Sequence, residues 1–117
     1  IMGRKTFESL ARPLPDRTNI VISKELADTT DGVCIVRSLD DALKTAQESP
    51  GNEEIFVIGG GNIFAQVIDK TDRLYLTIVD ASADADTFFP DYSKFTRILT
   101  EEKKESPEFT FRYITLE

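Results

Sequence analysis

The run Ile55-Phe56-Val57-Ile58-Gly59-Gly60-Gly61-Asn62-Ile63-Phe64 fixes the architecture more firmly than any other part of the chain. Residues 54–58 are almost wholly apolar, β-branched or aromatic and too few for a helix, so they predict a strand. Three glycines break it at once, and Ile63, Phe64, Val67 and Ile68 then recur at helical spacing. Upstream, residues 18–23 and 33–36 read as two further short strands. Ser38 offers a helix cap ahead of Asp40 and Asp41, with Leu39, Ala42, Leu43 and Ala46 along one face and Ser49-Pro50-Gly51-Asn52 as the stop. Residues 6–10 predict a short helix, and Arg12-Pro13-Leu14-Pro15-Asp16 a non-helical turn imposed by its prolines. Downstream, residues 73–79 predict a fourth strand. Residues 96–103 and 109–116, separated by a segment containing Pro107, predict an antiparallel hairpin. Strands alternating with helices give an α/β sheet, largely parallel, with helices on its faces.

A chain of 117 residues is one domain with room for a real core. It has no histidine, which removes Ser-His-Asp triads, Cys-His pairs and His-ligated zinc, and acid-base chemistry near neutrality falls to carboxylates, water or the substrate. The single cysteine, Cys34, lies in an apolar run and reads as a buried, inert thiol in a reducing, cytoplasmic setting. No apolar stretch approaches the roughly 20 residues of a membrane helix, and no metal site is expected.

The total charge is −7, yet residues 1–24 carry Arg4, Lys5, Arg12, Arg17 and Lys24 against only Glu8 and Asp16. A positive region on an acidic protein suits a small anionic ligand and disfavours nucleic acid, which the remaining surface would repel. The alternative is a solvated basic loop. Two segments can hold phosphate. Gly3-Arg4-Lys5-Thr6 combines a glycine, a helix start, two cations and a hydroxyl, although Arg4 separates the Gly-Lys pair that a P-loop requires. Gly59-Gly60-Gly61 supplies the first and third positions of the dinucleotide fingerprint, but the sixth is Phe64. Asp80 lies 21 residues after Gly59, where a ribose-binding acid is expected. Taken alone, the three glycines also read as a tight turn.

Five linked motifs occur in the order and at the spacing of one family: Met2-Gly3-Arg4-Lys5-Thr6-Phe7-Glu8-Ser9, Arg12-Pro13-Leu14-Pro15-Asp16-Arg17-Thr18-Asn19, Ile55-Phe56-Val57-Ile58-Gly59-Gly60-Gly61, Asp72-Arg73-Leu74-Tyr75-Leu76-Thr77 and Asp86-Thr87-Phe88-Phe89-Pro90. Together they strongly resemble dihydrofolate reductase, across essentially all of this chain and part of the family's. The resemblance implies that family's three-layer α/β fold, with a mostly parallel mixed central sheet, a C-terminal antiparallel hairpin and helices on both faces. Residues 1–117 would form a single, N-terminally incomplete domain of it.

The activity so implied is hydride transfer from NADPH to the pteridine ring of dihydrofolate, giving tetrahydrofolate for one-carbon metabolism, in a cytoplasmic monomer that also binds antifolates. By the same resemblance, Gly3, Arg4, Lys5 and Thr6 would meet the cofactor's phosphates, and Ser23 and Lys24 the 2′-phosphate that distinguishes NADPH from NADH. Gly59, Gly60 and Gly61 would hold the pyrophosphate, with a cis peptide between the first two, and Asn62, Ile63, Phe64 and Gln66 would continue the cofactor site. Phe64 stands where the family often has tyrosine. Arg17 would clamp the α-carboxylate of the substrate's glutamate, a bidentate task for which lysine is poorly shaped. Leu10 and Leu14 would grip the aminobenzoyl ring, with Ser9 on the substrate side. Ile58 would border the meeting point of nicotinamide and pterin, and Thr77 would hydrogen-bond toward the catalytic carboxylate, serving both catalysis and substrate binding.

Each of these residues has a plainer reading. Leu10, Leu14, Ile58 and Phe64 fit a core, Thr77 is ordinary in a strand, Arg17 could pair with Asp16 or Glu8, and Gln66 could face water. In the family, the first strand, the mobile loop over the nicotinamide and the main catalytic acid precede the position matching Ile1. The resemblance therefore implies that this chain in isolation is inactive and poorly stable, with apolar surface left bare. Two other functions are compatible: the pyrimidine reductase of riboflavin synthesis, which shares fold and cofactor but has no glutamate tail to bind, and a nucleotide-binding module without catalysis.

Overall fold

A computed structural model describes residues 1–27, 30 and 32–117. The chain divides into two compact units, Ile1–Val67 and Ile68–Glu117.

The first unit is built on a three-stranded parallel sheet in the order β1-β2-β3, with β1 Met2–Gly3, β2 Ile20–Ile22 and β3 Cys34–Val36. Met2 and Val21 are its largest fully buried side chains. Helix α1, Arg4–Leu10, follows β1 directly and has no side-chain cap at Gly3. It starts two residues earlier than the sequence predicts, because no capping residue marks its beginning. Helix α2, Leu39–Gln47, begins where expected: Ser38 Oγ accepts from the N–H of Asp41 at 3.1 Å. Its apolar face packs on β2 and β3, with Ala42 and Ala46 in one core cluster beside Ile20 and Val36. Leu39 joins Ile63 and Val67 of α3, Gly61–Val67, in a second cluster. Small alanines let α2 approach the sheet, and its polar face stays in water.

Two expectations are corrected in this unit. Residues 54–58 form no regular strand: Glu54 lies in a bend, and residues 55–58 carry no regular secondary structure. The ammonium of Ile1 donates to Phe56 O at 2.8 Å and Ile58 N–H to Ile1 O at 3.0 Å, as in a parallel ladder. The next bond skips a residue, with Gly3 N–H donating to Gly59 O at 2.8 Å, because the left-handed backbone of Gly59 (φ +121°) turns its carbonyl toward β1. Cys34 is exposed rather than buried, since it opens the short edge strand β3.

The second unit opens with a short 3₁₀ turn, Ile68–Lys70, and is otherwise antiparallel: β4 Leu74–Val79, β5 Ile98–Glu105 and β6 Thr110–Leu116, in the order β4-β6-β5. The expected hairpin is present. Its turn is closed by Ser106 N–H donating to Phe109 O at 2.8 Å, with Pro107 at the first corner. The 73–79 strand pairs antiparallel with β6, from Leu74 opposite Leu116 to Val79 opposite Phe111. Parallel and antiparallel pairing thus coexist in an α/β chain, as predicted. Among the described residues no helix is long and apolar enough to cross a membrane.

Candidate functional site

The glycines of the two candidate phosphate segments meet. Besides the Gly3 to Gly59 hydrogen bond, a Cβ built on Gly3 would lie 3.6 Å from Gly59 O, 3.6 Å from Ile63 Cγ1 and 3.8 Å from Gly60 N. A Cβ on Gly59 would lie 3.4 Å from Phe64 Cε2 and 3.7 Å from Thr6 Oγ1. Gly3, Thr6, Gly59, Gly60, Ile63 and Phe64 therefore form one neighbourhood, in which a Cβ on Gly3 or Gly59 would stand at ordinary contact distance. The Gly59-Gly60 peptide is cis. Helix α3 begins here, with Phe64 N–H donating to Gly60 O at 3.0 Å, and Gln66 Nε2 donates to Asn62 Oδ1 at 3.0 Å on its exposed side.

Charge gathers beside this bend. Arg4 and Lys5 open α1 next to Gly3, and Arg4 pairs with Glu8 at 2.9 Å and Glu25 at 3.3 Å. The hydrogen bond to Glu8, then the charges of Glu25 and Glu8, raise the Arg4 guanidinium above its already high ordinary value. Lys5 and Lys24 are exposed. Ser23 is buried, and its Oγ accepts from the N–H groups of Glu25 and Leu26 at 3.1 and 3.0 Å. That hydroxyl caps a turn, leaving its own proton to donate. The turn is also held by Arg37, whose Nη1 donates to Ser23 O at 2.7 Å and Leu26 O at 2.9 Å. The Arg4–Glu25 pair ties this turn to α1.

A second feature is a cleft of about 620 Å³ whose lining includes Leu14, Arg17, Asn19, Phe56 and Ile58. Three residues assigned to the substrate side from sequence, Leu14, Arg17 and Ile58, thus share one concavity. Arg17 is exposed and forms no recorded ion pair with Asp16 or Glu8 among the described residues; its Nε donates to Pro15 O at 2.9 Å. Its outer edge is the pair of terminal nitrogens, the geometry a carboxylate matches. Ser9 and Leu10 lie on α1 away from the cleft lining, with Ser9 Oγ donating to Thr6 O at 2.7 Å. Thr77 belongs to the second unit, exposed on β4 opposite Tyr113.

Three residues escaped the sequence reading. Asn19 organises the proline loop, Arg37 holds the Ser23 turn and Glu25 engages Arg4. Asn19 carried a weak signal, as a polar residue directly ahead of a buried strand; the other two partnerships span 14 and 21 residues and have no local signature.

An α/β unit with a parallel sheet, a glycine bend and a basic helix start is suited to anionic, phosphate-bearing ligands. A family model described as dihydrofolate reductase matches residues 1–117. The chain is 47% identical over 92 residues to "Dihydrofolate reductase type 3" of Salmonella typhimurium, covering 79% of this chain and 55% of that protein. It is 49% identical over 90 residues to the dihydrofolate reductase of Haemophilus influenzae, covering 77% and 54%, and 39% identical over 93 residues to that of Staphylococcus aureus, covering 80% and 55%. The chain belongs to the dihydrofolate reductase family, and it spans about half the length of these curated relatives.

Proposed function

We propose that the full-length protein catalyses NADPH-dependent reduction of 7,8-dihydrofolate to 5,6,7,8-tetrahydrofolate in one-carbon metabolism, with residues 1–117 forming part of a single reductase domain. The reading rests on one observation above others: the 2.8 Å hydrogen bond from Gly3 to Gly59, which joins the basic start of α1 to the glycine bend. The donor set fits a phosphorylated cofactor, since the Thr6 hydroxyl and bare glycine backbone share one neighbourhood and Arg4 and Lys5 directly follow Gly3 at the start of α1.

When bound, NADPH supplies the hydride. Arg4, Lys5 and Thr6 meet its phosphates, Gly59, Gly60 and Gly61 admit the pyrophosphate to close backbone range, and the Ser23 hydroxyl and Lys24 favour the 2′-phosphate. Asn62, Ile63, Phe64 and Gln66 extend that surface along α3. On the substrate side, Arg17 pairs with the glutamate α-carboxylate, Leu14 and Ile58 provide apolar walls within the cleft, Leu10 adds apolar surface from α1 outside it, and Ser9 and Thr77 offer hydroxyls. Thr77 supports catalysis by orienting the carboxylate that delivers the proton to the pterin nitrogen. The protein works as a cytoplasmic monomer without nucleic acid or membrane partners, and antifolates compete for its pterin site.

The test is dihydrofolate-dependent loss of NADPH absorbance by the full-length protein, with Arg17→Ala compared by ligand titration. Removing one side of a hydrogen-bonded charge pair weakens folate binding by about 2–5 kcal/mol. Unchanged folate affinity, or equal turnover of a substrate lacking the glutamate tail, overturns the folate reading.

A further inference from the structure

Asn19 is only 5% exposed, and its side-chain amide is spent within a single loop. Its Oδ1 accepts from the N–H of Leu14 at 2.9 Å, while Nδ2 donates to Leu14 O at 2.9 Å and Arg17 O at 3.1 Å. Its backbone belongs to the sheet instead, where Asn19 O accepts from Cys34 N–H at 2.8 Å. The residue is therefore a rivet between a rigid strand and a loop whose Pro13 and Pro15 carry no N–H to brace it. Leu14, Arg17 and Asn19 all line the cleft of about 620 Å³ that Ile58 also borders.

We infer that Asn19 is a positioning residue for substrate recognition: it fixes the loop so that Arg17 and Leu14 address the same ligand. The inference rests on the folate reading and deepens it. Holding both the N–H and C=O of Leu14 sets the apolar wall, and holding Arg17 O sets the root of the guanidinium. A two-point clamp on a carboxylate tolerates little displacement of that root. Asn19 touches no ligand in this scheme and acts through Arg17.

The experiment titrates wild type, Arg17→Ala, Asn19→Asp and the double variant of the full-length protein with dihydrofolate, with a pteridine lacking the glutamate tail, and with NADPH. Asn19→Asp keeps the acceptor for Leu14 N–H and removes both donations. It is expected to weaken dihydrofolate binding by about tenfold, the loss of roughly one hydrogen-bonded alignment. Binding of the tailless pteridine and NADPH stays within about twofold, and the double variant binds dihydrofolate no worse than Arg17→Ala. Equal weakening for all three ligands, or additive losses in the double variant, overturns the inference in favour of a purely structural role, and so does an unchanged Asn19→Asp. If Asn19→Asp does not fold, Asn19→Ser, with a hydroxyl that both donates and accepts, is held to the same contrast. An Arg17→Ala that fails to discriminate between the two pteridines overturns the folate reading itself, which separates the two failures.

Discussion

Arg4 Nε stands 3.3 Å from Glu25 Oε2, so the cation that opens α1 is already engaged by the turn that carries Ser23 and Lys24. A phosphate arriving at Arg4 must compete with that carboxylate and with Glu8, 2.9 Å away. Both acids are largely exposed, and such pairs are weak enough to exchange.

Glu25→Gln is accordingly expected to tighten NADPH binding severalfold while leaving folate affinity unchanged. The gain should shrink as salt is raised, since screening weakens both competing interactions. Cofactor titration at two ionic strengths checks it, and weaker binding in the variant would show that Glu25 supports the site instead of competing with it.

The elements that local pattern controls were legible in the sequence. Alanine and leucine spacing with Ser38 gave α2 to its first residue, and β-branched runs gave β2, β3 and β4 within two residues of their bounds. Pairing beyond the β5–β6 hairpin was not legible: nothing near residues 73–79 says that Leu74 lies opposite Leu116. Residues 54–58 looked like a strand because their composition is right, but the Gly59 backbone breaks the ladder one step on. At the candidate site the glycines and cations were readable because their chemistry is distinctive. Asn19 was only faintly so and Arg37 not at all, because their partners are backbone N–H and C=O groups, which nearly every residue has.

Ala11 ends α1 in a left-handed conformation, φ 64° and ψ −21°, with its N–H donating to Glu8 O. A Cβ costs about 1–2 kcal/mol there, whereas glycine pays only its larger unfolded-state entropy. Ala11→Gly should therefore stabilise the protein by about 0.5–1 kcal/mol. Urea unfolding measures this, and a loss of stability would mean that the Ala11 methyl makes packing contacts worth more than the strain.

Ser38 satisfies one of the unpaired N–H groups at the start of α2, the helix that places Ala42 and Ala46 against the sheet. Ser38→Ala is expected to cost about 1 kcal/mol, and Ser38→Asp almost nothing, because aspartate caps equally well and its charge suits a helix N-terminus. Equal destabilisation by both substitutions in denaturant titrations would mean that the cap contributes through shape and not through its acceptor.

Gly59→Ala separates backbone freedom from simple space. A Cβ there would stand 3.4 Å from Phe64 Cε2 and 3.7 Å from Thr6 Oγ1, close but not a clash. The conformation itself, φ +121°, is one that side-chain-bearing residues rarely adopt, at a cost of roughly 1–3 kcal/mol. Relaxing that φ swings the Gly59 carbonyl away from Gly3 N–H, so the variant should lose both stability and NADPH affinity. Gly3 provides the control: its backbone is extended, φ −82° and ψ 167°, and its nearest would-be contacts are at ordinary distances of 3.6 Å or more. Gly3→Ala should thus hold its stability within about 0.5 kcal/mol of wild type. Urea unfolding and cofactor titration of the two variants give the comparison. If Gly3→Ala destabilises as much as Gly59→Ala, tightness of the glycine contact sets the cost, and the unusual backbone of Gly59 does not.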